Sequence, residues 1–180
     1  MSQVVILSGP SGAGKSSVAE SLCERYDRTV HIETDTFFDW IRMGRLNPMR
    51  PESNRQNIMV SRAVARAASA YAQDLYAVFI DGVIGPHLLP VYLEELRETG
   101  VAVHFVILMP SLDATIERVA PRDSRRQMEA QAHRDLYAQF QRNGAFAGCV
   151  VDTTGLTPDQ SGDIVMARCG EGAALVLPAR

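Results

Sequence analysis

The segment Gly9-Pro10-Ser11-Gly12-Ala13-Gly14-Lys15-Ser16 constrains the fold more than any other feature of this 180-residue chain. It fits G-x-x-x-x-G-K-[ST], a glycine-rich loop whose backbone N–H groups surround phosphate. The apolar run Val4–Leu7 before it has the length and continuity of a strand covered on both faces. After it, Val18, Ala19 and Leu22 recur at helical spacing. The pattern therefore predicts a strand, a phosphate-binding loop and a helix in succession.

The residues of this loop have distinct predicted roles. The glycines let successive amides point into one concavity, and the positive end of the following helix adds to the attraction for polyphosphate. Lys15, the only lysine of the chain, is expected to reach the β- and γ-phosphates of ATP, and the Ser16 hydroxyl to help hold Mg²⁺. Ser17 supports the loop or contacts the α-phosphate. The predicted nucleotide-binding residues are Gly9, Ser11, Gly12, Ala13, Gly14, Lys15, Ser16 and Ser17.

Short apolar runs and helix-forming stretches alternate along the rest of the chain. Further strands are predicted at Thr29–Thr34, Tyr76–Asp81, Val101–Met109 and Gly148–Asp152. Helices are predicted over Asn54–Leu75 and Leu88–Glu98, after Ser111, over Gln127–Arg142, and from the capping residue Thr157 onward. This alternation predicts parallel β-α units in a doubly wound α/β sheet, as one domain over residues 1–180.

Composition excludes several classes of protein. The net charge of −3 gives no electrostatic signal for binding nucleic acid or an anionic membrane. No stretch approaches the roughly 20 apolar residues of a membrane span, and the N-terminus lacks a secretory layout. The three cysteines show neither a disulfide framework nor metal-ligand spacing. We expect reduced thiols in a cytoplasmic protein; the sequence does not indicate an oligomeric state.

Two aspartates follow predicted strands at the edge where parallel sheets bind ligands. Asp35, after the second strand, is predicted to accept or align a proton of the acceptor hydroxyl. Its alternative role is to cap a helix starting at Thr36 or Phe37, and Glu33 is an alternate catalytic carboxylate. Asp81 ends the third strand and is predicted to bind Mg²⁺ through water; the alternative is a turn aspartate before Gly82.

Two further regions complete the predicted site. Residues 118–127 are predicted to form a lid, in which Arg118 stacks on adenine and Arg122 reaches the phosphates, while Arg125 and Arg126 are alternatives or solvated. Residues 37–57 are predicted to bind the acceptor, or else to form a helical hairpin with its aromatics in the core. The candidate acceptor residues are Asp35, Phe38, Trp40, Arg45 and Arg55; Arg42 and Arg50 lie in the same stretch. Asp152–Gly155 contacts the base of ATP or is an ordinary loop.

The motifs "GPSGAGKSS", "VFIDG", "VILMPSLDATIERVAPR" and "VVDTTGLTPDQ" resemble the P-loop kinases that include chloramphenicol phosphotransferase, the zeta toxins and gluconate-kinase-like proteins. The spacing from Asp35 to Arg45, followed by Gln56-Asn57, is most similar to bacterial AAA-type ATP-binding members. The resemblance implies a five-stranded parallel sheet in 2-3-1-4-5 order, ATP with Mg²⁺ as cofactors, and Asp35 as catalytic base. The acceptor region departs from that of the antibiotic enzyme, so the resemblance carries no substrate.

Three functions remain to be compared. The first is an ATP-dependent kinase for a hydroxyl of an antibiotic, sugar or metabolite, with no nucleic-acid partner. The absence of an Asn-Lys pair argues against a GTPase. The second is a nucleotide-dependent sensor or partner-binding ATPase with little kinase activity, and the third is a kinase for 5′-hydroxyl ends of nucleic acid.

Overall fold

A computed structural model describes residues 2–119, 129–142 and 144–180 of the chain. Its sheet contains β1 Gln3–Ser8, β2 Thr29–Glu33, β3 Ala77–Asp81, β4 Ala102–Leu108, β5 Val150–Val151 and β6 Leu175–Leu177. The first five strands are parallel and run in the order β2-β3-β1-β4-β5. The predicted parallel α/β sheet and its 2-3-1-4-5 order are therefore confirmed.

The sixth strand was not predicted. β5 has only two residues and pairs with β4 at Ile107 and Leu108 alone. The other half of the same β4 edge would expose unpaired backbone groups, and β6 covers it by pairing antiparallel with Val103 and His104. The predicted strand Gly148–Asp152 is shorter than expected because a 3₁₀ turn, residues 144–149, precedes it.

Seven α-helices are described: α1 Lys15–Cys23, α2 Thr34–Asp39, α3 Asn54–Gln73, α4 Leu89–Leu96, α5 Leu112–Val119, α6 Ala130–Gln141 and α7 Pro158–Gly170. The predicted capping box of α7 is confirmed, since the Thr157 side chain accepts from the Gln160 amide and the Gln160 side chain accepts from the Thr157 amide. No helix among the described residues is long and apolar enough to cross a bilayer.

The alternation of side chains along β1 divides the core into two layers. Val4 and Ile6 belong to a cluster that includes residues of α3, α4 and α6, whereas Val5 and Leu7 belong to one with α1 and α7. All four side chains are fully buried. A central strand covered on both faces leaves its carboxyl end as the edge at which loops gather, and this edge carries the site described next.

Candidate active site

The loop between β1 and α1 has a backbone that only its glycines allow. Gly9, Gly12 and Gly14 have φ angles of 136°, 80° and 90°. A Cβ on Gly9 would lie 2.3 Å from the carbonyl oxygen of Leu108, and one on Gly12 would lie 2.4 Å from that of Thr115. The loop therefore packs directly against the end of β4 and against α5, and Gly14 serves as the N-cap of α1.

Lys15 is held at this loop. Its Nζ donates to the carbonyl oxygens of Gly9 at 3.2 Å and Pro10 at 3.0 Å. Ser16 and Ser17 occupy the exposed first turn of α1, while Ala13 is buried beneath the loop. The arrangement combines a helix N-terminus, glycine-rich backbone and one ammonium, which are the groups that bind a polyphosphate.

Asp81 stands at the end of β3, buried, and its Oδ2 lies 3.0 Å from Nε2 of His31 on β2. Burial alone would raise the pKa of Asp81, but the hydrogen bonds from His31 and Ser16 and the charge of Lys15 lower it below its usual value. Burial alone would lower the pKa of His31, but Asp81 and the charges of Glu33 and Glu20 raise it. Asp81 is thus a carboxylate oriented toward the phosphate loop.

His31 is a site residue that the sequence analysis missed. In the sequence it is one polar residue within a short predicted strand. Its contact with Asp81 depends on the register of β2 and β3, which pairs His31 with Phe79 and Glu33 with Asp81. The only sequence signal for His31 was its position two residues before the candidate Glu33, which places the two side chains on the same face of the strand.

Asp35 lies in the first turn of α2 and is exposed. The helix begins at Thr34 with Glu33 as its N-cap residue, so the alternative of Asp35 as N-cap for a helix starting at Thr36 or Phe37 is wrong. Thr34 packs against Gly82, where any Cβ would overlap its side chain. This contact fixes the start of α2 beside the residue that follows Asp81.

Asp35 lines a cavity of about 590 Å³. The other walls come from α2, residues 48–51, α3, residues 83–88, α4 and α6. Ile84 in this wall is tied to the phosphate loop, because the Ser8 hydroxyl donates to its carbonyl oxygen at 2.7 Å and accepts from its amide at 3.1 Å. Ser8 directly precedes Gly9. The cavity and the phosphate loop therefore share one edge of the sheet.

The candidate acceptor residues separate into two groups. Asp35 and Phe38 line the cavity, whereas Trp40, Arg45 and Arg55 are not among its lining residues. Trp40 is 65% exposed and stacks on Phe37, with ring centroids 4.5 Å apart. Arg45 pairs with Asp39 on the surface.

The alternative of a helical hairpin over this stretch is wrong, because α2 ends at Asp39 and α3 begins at Asn54. Its expectation of aromatics in the core holds for Phe37 and Phe38, which are half-buried against the core, but not for Trp40. The arginines of the stretch are exposed, as this alternative expects.

The predicted acceptor region, residues 37–57, includes part of the cavity wall, among it Asn54 and Asn57 of α3. The sequence analysis missed other wall residues, including Ser61 of α3, Tyr92 of α4 and the α6 pair Leu136 and Phe140. The α3 residues follow each other at helical spacing, which is a signal available from the sequence. The sequence gives no such signal for Leu136 and Phe140, because only the tertiary fold brings α6 to the cavity.

The predicted lid is described only in part. Arg118 lies in the last turn of α5, and its Nη1 is 3.7 Å from where a Cβ on Gly14 would stand. Its guanidinium therefore lies beside the phosphate loop. Arg122, Arg125 and Arg126 lie outside the described residues. In the loop after β5, Asp152 accepts from the amide and hydroxyl of Thr154, which lower its pKa, and the Thr154 hydroxyl accepts from the Ser111 amide.

The site thus has two adjoining parts. One is a phosphate loop with Lys15, Ser16 and a buried Asp81. The other is a cavity of about 590 Å³ with a carboxylate on its wall. An arrangement of this kind can hold a nucleotide on one side and a second molecule on the other.

Comparison with known proteins gives a family and a fold. A family model described as an AAA domain matches residues 4–145. No curated protein matches the chain. The chain is similar to the solved tunicamycin resistance protein of Deinococcus radiodurans, at 20% identity and a TM-score of 0.70 over 94% of this chain and 96% of that one.

Other solved structures have the same fold. A sugar kinase from Janibacter sp. gives 15% identity and a TM-score of 0.68 over 97% of this chain and 98% of that one. The Mycobacterium tuberculosis APS kinase in complex with AMPPNP and APS gives 18% identity and a TM-score of 0.61 over 93% of this chain and 97% of that one. A chain of an RNA repair complex gives 20% identity and a TM-score of 0.61 over 77% of this chain and 44% of that one. These likenesses show a P-loop kinase-like fold.

Proposed function

This chain belongs to the AAA domain family, and from that premise we propose that it is an ATP-dependent phosphotransferase acting on a hydroxyl of a small molecule. The observation that carries the proposal is the placement of Asp35 on the wall of a cavity that adjoins the phosphate loop through Ser8 and Ile84. A nucleotide hydrolase needs no second cavity of this size, whereas a kinase needs one for its acceptor.

On the nucleotide side, the loop amides and Lys15 bind the β- and γ-phosphates of ATP. The Ser16 hydroxyl and the Asp81 carboxylate are hard oxygen donors, which fit Mg²⁺ better than any softer metal. Magnesium supplies charge neutralisation on the phosphate oxygens when bound. Of these groups, Asp81 is held in orientation by His31, so a bound cation would meet a fixed carboxylate rather than a mobile one.

On the acceptor side, Asp35 aligns the substrate hydroxyl and takes its proton as the oxygen attacks the γ-phosphorus. The carboxylate is exposed, so a substrate hydroxyl can reach it directly. Arg118 beside the loop and Arg122 in the predicted lid neutralise the negative charge that develops on the transferred γ-phosphoryl group. Arg118 also covers the adenine base of ATP.

A 5′-hydroxyl nucleic-acid kinase is the second candidate, because one structural neighbour belongs to an RNA repair complex. The net charge of −3 opposes it, since a nucleic-acid site needs a basic surface. A sensor with little catalysis is the third. The assembled Lys15, Asp81 and Asp35 favour transfer over sensing alone.

A transfer screen tests the proposal. Protein, Mg²⁺ and ATP carrying labelled γ-phosphate are incubated with pools of hydroxylated metabolites and antibiotics and with 5′-hydroxyl oligonucleotides, and labelled products are separated. We expect label in one class of small molecule. Label only in oligonucleotides would support the second candidate, and label only in inorganic phosphate for every pool would contradict a kinase.

Asp35→Asn is the matching variant, and it should lower transfer about 10²- to 10⁴-fold, the usual contribution of a general base, while nucleotide affinity stays within about twofold. Asp39→Asn is its control. Asp39 lies one turn later on the same helix, pairs with Arg45 and does not line the cavity. Equal transfer by the two variants would remove Asp35 from the mechanism.

A further inference from the structure

The ionisable side chains around the cavity beside Asp35 are mostly basic. Asp35 is the only carboxylate among the described residues that line it, whereas Arg50, His87 and Arg142 are bases. The whole chain has the opposite balance, with 21 Asp and Glu against 18 Lys and Arg. The cavity therefore reverses the charge balance of the protein, and its one carboxylate already has a role as the proposed proton acceptor.

Neither arginine has a counter-ion. Arg50 and Arg142 are exposed and form no ion pair with another residue of the described part of the chain. Arg45, by contrast, pairs with Asp39. An unpaired guanidinium on a long, flexible side chain can turn toward an anion at the cavity mouth, to which it presents a planar fork of N–H donors. Both arginines are therefore available to a ligand.

Separate parts of the chain supply these two cations. Arg50 directly precedes the 3₁₀ turn Pro51–Ser53 that leads into α3, and Arg142 is the C-cap residue of α6. Because the net charge of the protein is −3, two bases at one cavity create a local positive potential that attracts an anion which the rest of the surface repels. The tertiary fold thus places anion-binding groups at the mouth of the acceptor cavity.

The buried part of the same cavity is neutral. Among its lining residues are Val60, Ile84, Leu136 and Phe140, which are buried. An ionised group placed against them would lose its hydration without gaining a counter-ion, so the anion belongs at the exposed rim. At about 590 Å³ the cavity can also hold an apolar body of drug size. Its lining therefore fits a molecule with an apolar part and one anionic end.

We infer that the cavity binds an amphiphilic oxyanion, whose carboxylate, sulfonate or phosphate group pairs with Arg50 and Arg142 at the rim while its apolar body occupies the buried interior. The inference rests on the proposed function for one further point: the acceptor is then an alcohol of this class, with its hydroxyl at Asp35. The two positive charges also offset the repulsion between Asp35 and the anionic group. Arg50 and Arg142 therefore determine which alcohol binds without contacting the reacting atoms.

A matched pair of probes tests the anion site in the absence of ATP. 8-Anilinonaphthalene-1-sulfonate combines an apolar body with one sulfonate, and N-phenyl-1-naphthylamine is the same body without the charge. Fluorescence titration should show saturable one-to-one binding of the sulfonate. Arg50→Gln and Arg142→Gln should each lower the sulfonate affinity about threefold, and the double variant about tenfold, because an exposed charge pair contributes up to about fivefold. The affinity for the neutral probe should change by less than about twofold.

Arg134→Gln is the matched control. It removes the same charge from α6, about two turns before Arg142, at an exposed residue that does not line the cavity. The affinity of this variant for both probes should equal that of the wild type. Because all three arginines are exposed, each variant should also keep the wild-type free energy of unfolding in urea.

The outcomes separate the two proposals. No binding of the sulfonate, an unchanged sulfonate affinity in the double variant, or an equal loss of affinity for both probes would each overturn the anion site, whether or not phosphate is transferred. In the transfer screen, label only in uncharged alcohols would overturn the class of acceptor and leave the kinase standing. Probe binding as expected, without label in any hydroxyl compound, would support the anion site and contradict the proposed kinase.

Discussion

Replacing Gly12 by alanine tests the packing of the phosphate loop against α5. The φ angle of Gly12 is 80°, which costs a residue with a side chain about 1–2 kcal/mol. The added Cβ would stand 2.4 Å from the Thr115 carbonyl oxygen and 2.9 Å from Val119 Cγ2, whereas ordinary contact begins at 3.4 Å. The loop or helix must move by about 1 Å, and overpacking of this kind costs about 1–3 kcal/mol more.

Gly172→Ala is the matched control. Gly172 has a nearly identical φ angle of 76°, but a Cβ there would meet nothing within 4 Å. It therefore carries the backbone cost of about 1–2 kcal/mol alone, and it lies between α7 and β6. The difference between the two variants measures the contact of the loop with α5.

Urea unfolding and Mg-nucleotide titration are the two assays. We expect Gly12→Ala to lose about 2–5 kcal/mol of unfolding free energy, or, where the loop yields locally, to lose at least tenfold in nucleotide affinity. Gly172→Ala should bind nucleotide as the wild type does. Equal stability of the two variants within about 0.5 kcal/mol, together with unchanged nucleotide affinity for Gly12→Ala, would refute the packing described here.

Two further predictions concern the polar groups Tyr92, which is buried, and His31, which is half-buried. Burial raises the pKa of Tyr92 to about 12 from a usual 10; the unfolded chain then ionises first, so stability is complete below pH 10 and is lost as pH rises toward 12, by up to about 3 kcal/mol. Tyr92→Phe should lack this alkaline loss. The measurement is the unfolding free energy of both proteins in urea at pH 8 and at pH 11, and an equal change between the two pH values in both proteins would contradict a raised pKa of the Tyr92 phenol. His31→Leu should lower the affinity for Mg-nucleotide about tenfold, because Asp81 loses the partner that orients it. The affinity for metal-free nucleotide should change by less than about twofold, and His31→Gln should bind Mg-nucleotide nearly as the wild type does. An equal loss of affinity for both forms of nucleotide would show that His31 serves folding only.

Local features were predictable from the sequence and tertiary ones were not. The loop from Gly9 to Ser16 lies within eight consecutive residues, and its strand and helix follow from the change in hydrophobic period. The strand order came from family resemblance, because periodicity does not say which strands pair. β6 escaped prediction because Leu175–Leu177 is a short strand whose role is to cover an edge that β5 leaves open.

The acceptor side shows the same division. Asp35 was found because it follows a strand, where parallel sheets place their ligands. Trp40 and Arg45 were favoured as cavity residues on composition alone, and the structure places them on the surface because α2 ends at Asp39. Leu136 and Phe140 are more than fifty residues from α3 in sequence, and only the tertiary fold places α6 on the wall of the same cavity.

The proposed function requires that the glycine-rich loop and the Lys15 ammonium bind a nucleoside triphosphate. Calorimetric titration of the folded wild-type protein and of Lys15→Ala with Mg-AMPPNP measures this binding. We predict saturable one-to-one binding to the wild-type protein and at least tenfold weaker binding to the variant, since the ammonium contacts the transferred end of the nucleotide. No binding to well-folded wild-type protein, or equal affinity for the two proteins, would show that this loop does not bind nucleotide through Lys15.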